Sequence, residues 1–146
     1  MNESSNIKLN SLGSFHWNEL TQKLYQDETI ENKDLNVSDC CDFQFVNITF
    51  KKVDFSGMNL IVCTFKNCQF ENCDFTKSEF YSSEFYDSSF LNPDLTRADF
   101  TSCIFTDCTL FKPKLCKTMF AQCKFNNSRF KNISDSESSD EWVLFT

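Results

Sequence analysis

A large apolar residue stands at every fifth position from Phe45 to Phe130. The anchors are Phe45, Phe50, Phe55, Leu60, Phe65, Phe70, Phe75, Phe80, Phe85, Phe90, Leu95, Phe100, Phe105, Leu110, Leu115, Phe120, Phe125 and Phe130. Neither a helix nor a strand has that period. A 3.6-residue helix spreads such a set around its circumference, and a strand sends successive members to opposite sides. The chain must therefore be built from its own five-residue unit, and repetition on this scale decides the architecture. Ile30, Leu35 and Cys40 keep the same register.

The rest of the unit is equally regular. Two residues before the anchor the later units carry a small side chain, as in Cys63, Cys68, Cys73, Ser78, Ser83, Ser88, Ala98, Cys103, Cys108, Thr118, Cys123 and Ser128. Between small residue and anchor sits a polar one, often acidic: Asp54, Asp74, Glu79, Glu84, Asp94, Asp99. A small residue, an acid, a Phe or Leu and two polar residues resemble the unit of the pentapeptide repeat family, over roughly 70% of the chain. The resemblance implies an all-β fold, a right-handed quadrilateral parallel β-helix in which each unit forms one side and four units close one coil. Residues twenty apart then stack, and residues 30–132 give about five coils and a rod some 25 Å long.

A solenoid needs its open ends covered. Residues 1–29 are expected to do so at one end, with a capping helix over about 14–26 that presents Trp17, Leu20 and Leu24 behind Ser14. Phe43, Ile48, Val53 and Met58, bulkier than later residues at the small position, mark the wide end where it docks. Residues 133–146 are rich in Ser and acid and close on Trp142, Val143, Leu144 and Phe145. They return an apolar patch to the last coil or serve as a dimer or partner segment, leaving a monomer or an end-to-end dimer.

Composition excludes several classes. No run of eighteen apolar residues and no charged-then-apolar leader are present, so no membrane span is expected and the default is a cytoplasmic protein. Six of nine cysteines occupy the small slot, a packing role for free thiols in a reducing compartment; Cys103 and Cys123 are stacked one coil apart. A five-residue spacing sends Cys63, Cys68 and Cys73 to successive sides, so no metal site is expected. The sole histidine, His16, has no evident catalytic partner, and two glycines cannot build a phosphate loop. No enzyme, cofactor or small-molecule substrate is expected.

Charge leaves one specific alternative. Residues 30–90 hold ten acids and five bases, residues 91–132 three acids and seven bases. Asp34, Asp54, Asp74 and Asp94 fall in one column, flanked by Glu79 and Asp99, and form a candidate acidic ridge. The quinolone-resistance and topoisomerase-protecting branch of the resembled family implies DNA mimicry, with a type II topoisomerase as partner. Against it, the ridge ends at Lys114, Lys77, Arg97 and Lys117 run beside it, and that branch's loop insertions and dimerisation module are missing. The main expectation is a rod that binds a protein partner through outward apolar residues the repeat does not demand: Ile61 beneath Tyr81, Leu91 beneath Phe111, and Tyr86. Pro93 and Pro113 are expected to remove two ladder donors there and leave that side irregular.

Overall fold

The computed structural model describes residues 8–12, 20–35 and 39–133, and the backbone of 143–145. Each unit lays three residues along one side of a square, with the anchor pointing inward between two outward neighbours, as in Thr64–Lys66 around Phe65. Residue n then pairs in parallel with residue n + 20: Phe45 with Phe65, Phe65 with Phe85, Phe85 with Phe105, Phe105 with Phe125. The four sides are named here by their anchors. The Phe45 and Phe50 faces are joined through the long strand Gln44–Lys51 into one ten-stranded sheet. The Leu60 face is a separate six-stranded sheet. The Phe55 face is held in every coil by single bridges from Asp34 through Asp54, Asp74 and Asp94 to Lys114.

Corners make the square possible. Two residues after each anchor, from Asp27 to Asn132, every described position has φ between 48° and 65°. More than half are Asn or Asp, which tolerate this left-handed region best after glycine. Below the last coil, corner N–H groups are donated to the coil above, as from Asn67 to the Tyr86 carbonyl at 2.9 Å and from Asn72 to that of Leu91 at 2.9 Å. Corner amides also stack: Asn67 Nδ2 donates to Asn47 Oδ1 at 2.8 Å, and Asn92 Nδ2 to Asn72 Oδ1 at 3.1 Å. Val62 is the exception. It is β-branched, holds φ 54° and is 49% exposed, a conformation that costs about 1–2 kcal/mol in a side chain of its kind.

The prolines do not disturb the ladder. Its donors are the anchors, their neighbours and the corner residues, while the N–H of the small slot is directed elsewhere: Cys63 N–H to Ser83 Oγ at 3.1 Å, Cys68 N–H to Ser88 Oγ at 3.1 Å. Pro93 and Pro113 occupy that slot, buried, and lose no ladder bond. Lys114 N–H still reaches the Pro93 carbonyl at 2.9 Å, and Ser89–Leu91 pairs with Thr109–Phe111 in register. The expected irregularity beside Leu91 and Phe111 is therefore absent.

Inside, the anchors form stacked columns. Ring centroids lie 4.9 Å apart for Phe55 and Phe75, 4.5 Å for Phe70 and Phe90 and 4.6 Å for Phe80 and Phe100, with planes within 11° of parallel. Neighbouring columns meet edge-on, as Phe50 does Phe55 at 5.3 Å. Both are favourable aromatic arrangements. At the last coil Phe125 and Phe130 are only partly buried.

The N-terminal cover differs from the expected helix. Leu20–Lys23 is irregular and Leu24–Glu31 is a strand paired with Gln44–Lys51, so the first coil begins before Ile30; residues 14–19, including Trp17, lie outside the described residues. Tyr25 fills the anchor slot beneath Phe45 while Leu24 faces outward, and Leu20 packs partly against the core. The plug is a 3₁₀ turn, Leu9–Ser11, with Leu9 fully buried. Glu28 accepts the N–H groups of Leu9 and Asn10 at 3.0 and 3.2 Å, and Lys33 donates to the Leu9 and Leu12 carbonyls at 2.9 and 2.8 Å. At the other end Val143–Phe145 pairs with Thr118–Phe120, twenty-five residues away, and extends the Leu60 face by one strand. Trp142 lies outside the described residues, and of Leu144 and Phe145 only the backbone is described.

All nine cysteines are free thiols. Burial pushes Cys68 up to about 12 and Cys73 up to about 11. Burial also raises Cys40, whose sulfur lies 3.5 Å from that of Cys63, and a hydrogen bond from Cys123 followed by burial raises Cys103. A thiol that ionises only after unfolding stabilises the fold fully below its ordinary value near 8.5, and that contribution fades as pH climbs to the folded value. Denaturant titrations should therefore show stability falling above about pH 9, by about 1.4 kcal/mol per pH unit and thiol, with a flatter slope in a Cys68→Ser/Cys73→Ser variant. Val62→Asn should raise the unfolding free energy by about 1 kcal/mol by relieving the left-handed β-branched corner; an unchanged or lower midpoint would contradict that reading.

Candidate interaction surfaces

Outward residues twenty apart stack into columns, so each candidate surface is a stripe along the rod. Asp34, Asp54, Asp74 and Asp94 form one such stripe on the Phe55 face, in bridge register. At a ladder spacing of about 4.8 Å the carboxylates approach one another closely, and Asp54, Asp74 and Asp94 are each occupied locally. Asp54 Oδ1 accepts the Ser56 N–H at 2.8 Å, Asp74 Oδ1 that of Thr76 at 2.8 Å, and Asp94 Oδ1 that of Thr96 at 3.0 Å. Each is an Asx turn that closes its own corner. Lys114 ends the stripe with an ion pair to Asp94 at 3.2 Å. Burial pushes the Asp94 carboxyl up, but hydrogen bonds from Thr96 and the Lys114 ammonium outweigh it and hold the group below its ordinary value.

Glu79 and Asp99 belong to the Leu60 face, paired with one another in register. Asn59 stands below Glu79 and Met119 above Asp99, so this second acidic stripe is short. Lys77, Arg97 and Lys117 occupy the corner between the Phe55 and Leu60 faces. The six ridge candidates thus form two stripes separated by a basic one.

The apolar candidates fall on three sides. Ile61 and Tyr81 are paired on the Leu60 face, with Val62 at the following corner and Tyr81 55% exposed. Leu91 and Phe111 are paired on the Phe50 face, Leu91 40% exposed and Lys112 Nζ 5.5 Å from the centre of the Phe111 ring. Tyr86 lies on the Phe45 face, its hydroxyl bonded to Glu84. The Phe50 and Leu60 faces are opposite sides of the square, so the five residues make two separate patches and a lone tyrosine. Val62 escaped the sequence reading as a strained position, because only the five-residue phase combined with the left-handed corner identifies it.

Two concavities among the described residues are shallow surface depressions, one lined by Lys112, Pro113, Lys114 and Asn132, another by Asp107, Thr109, Asn127, Arg129 and Lys131. Among the described residues no cluster of His, Cys, Asp or Glu could hold a metal ion, and no helix is long and apolar enough to cross a membrane.

A family model described as pentapeptide repeats, nine copies, matches residues 45–89. No curated protein matches in sequence. Among solved structures, the pentapeptide repeat protein Rfr23 from the cyanobacterium Cyanothece 51142 superposes with a TM-score of 0.68 at 10% identity, over 73% of this chain and 87% of its own. A trypsin-treated form of QnrB1, a plasmid-mediated fluoroquinolone resistance protein, aligns over 82% of this chain and 71% of its own at 18% identity, with a TM-score of 0.45. The repeat match over residues 45–89 and the four-sided parallel solenoid together make this chain similar to the pentapeptide repeat proteins in repeat unit and in fold.

Proposed function

We propose that this chain is a non-enzymatic docking rod that presents its Phe50 and Leu60 faces to a protein partner. The observation that carries the reading is the pair of solvent-facing apolar patches, Ile61, Val62 and Tyr81 on one side and Leu91 and Phe111 on the other. The repeat does not demand apolar residues there, and Val62 adopts a costly backbone conformation at the edge of its patch. Paired apolar residues in adjacent coils approach the kind of patch that marks an interface. Among the described residues the interior is filled by the anchors and leaves no cleft for a substrate. A cytoplasmic setting, where thiols stay reduced, suits nine free cysteines.

A second reading, a DNA mimic directed at a type II topoisomerase, draws on the stacked carboxylates of Asp54, Asp74 and Asp94. The basic stripe of Lys77, Arg97 and Lys117 beside them interrupts the field such a mimic needs. The two readings separate on variants. Leu91→Ser/Phe111→Ser and Ile61→Ser/Tyr81→Ser should each reduce capture of partner protein at least tenfold and leave supercoiling by DNA gyrase, with or without a fluoroquinolone, as the unmodified chain leaves it. Capture unaffected by both double variants would overturn the docking reading. A gyrase response abolished by Asp54→Lys/Asp74→Lys would establish the second one instead.

A further inference from the structure

The two apolar patches lie on opposite sides of the square, and each side taken with its following corner carries charge opposite to the other, while the preceding corners carry the reverse signs. The Leu60 face with its following corner holds Asp39, Asp42, Glu79 and Asp99 and, among its described residues, no base. The Phe50 face with its following corner holds Lys51, Lys52, Lys112, Arg129 and Lys131 against Glu31 and Glu71, and Lys51 is paired with Glu71 at 3.8 Å. Resting on the assignment of these two sides as docking faces, we propose that the partner is a second copy of this chain, the Phe50 face of one rod packing on the Leu60 face of the next with the rods antiparallel.

The register follows from the columns. Both faces repeat at the same ladder spacing, about 4.8 Å, so one alignment sets the others. With Leu91 laid over Tyr81, the next coil of each antiparallel rod brings Phe111 over Ile61. One coil further, Arg129 and Lys131 arrive over the stretch that holds Asp39 and Asp42. One like-charge meeting results, Glu71 near Asp99, beside the Lys51 that already pairs with Glu71.

The corners select the orientation. Antiparallel packing sets the corner with Asp87 and Asp107 against the one with Lys77 and Arg97, and the corner with Lys112 beside the one with Asp42. Parallel packing would instead set Lys52 and Lys112 against Lys77, Arg97 and Lys117, and Asp87 and Asp107 against Asp42. Like charges so placed oppose association, while complementary ones fix register. The two faces differ, so the contact is heterologous and does not close; it generates an open lateral row of rods. A side about 16 Å wide and 25 Å long covers about 400 Å² on each partner, the size of a weak and transient contact.

Sedimentation velocity of the purified full chain tests this, from about 10 µM to about 1 mM in about 0.15 M salt. The weight-average mass should rise with concentration beyond that of a dimer. Arg129→Glu/Lys131→Glu on one face and Asp39→Lys/Asp42→Lys on the other, all at exposed positions, should each remain monomeric while keeping wild-type circular dichroism. An equimolar mixture of the two variants should recover association, because the reversed charges meet again. A wild type monomeric throughout, variants that associate like wild type, or a mixture that stays monomeric would each overturn the proposal. If the wild type is monomeric yet captures another protein through Leu91 and Phe111, self-pairing falls and the docking reading stands.

Discussion

Everything in this molecule depends on residue n resting on residue n + 20. The contact has two parts: backbone hydrogen bonds between coils at each face, and the face-to-face stacking of like anchors, as between Phe85 and Phe105 at 4.7 Å. An aromatic pair of this kind contributes about 0.5–1.5 kcal/mol beyond the area it buries, and the columns repeat it coil after coil. Because the same contact recurs on each side, coils support only their neighbours. The ends therefore need local devices, the Leu9 plug clamped by Glu28 and Lys33 at one end and the returning strand Val143–Phe145 at the other.

The same contact constrains function. It fills the described interior with side chains and turns each outward position into one member of a stripe along the rod. Acidic residues that look like a recognition feature also serve as turn caps, because Asp54, Asp74 and Asp94 each hold the N–H two residues on. Apolar residues have no such duty at outward positions. Ile61, Val62, Tyr81, Leu91 and Phe111 are therefore the outward residues that the coil geometry leaves unexplained, and their division between opposite sides makes the rod two-faced.

Much of this was legible in the sequence. The anchors, their four columns and the small slot follow from a period of five, which no other element could satisfy; Phe45 over Phe65 is arithmetic once the coil holds twenty residues. The caps were not legible. Trp17, Leu20 and Leu24 have helical spacing, but Tyr25 and Ile30 also have the phase of the repeat, and pairing with a formed coil outweighs helix propensity in so short a segment. Leu9 carries no periodic signal at all. The prolines misled for a different reason: their slot donates no ladder bond, which only the hydrogen-bond geometry reveals. The surface candidates were legible as stacked pairs, Ile61 with Tyr81 and Leu91 with Phe111, whereas their distribution over three faces required the columns to be assigned to sides.

The most direct measurement of this account is the unfolding of two deletion variants. One lacks residues 86–105, a whole coil, so that Thr106 takes the place of Tyr86 and every column continues in phase; the other lacks residues 86–104 and shifts every later residue by one. Followed by circular dichroism in denaturant, the first should unfold in one cooperative transition with a slope reduced in proportion to its length, and the second should show no such transition. Equal behaviour of the two would contradict the claim that stacking at n + 20 specifies the molecule.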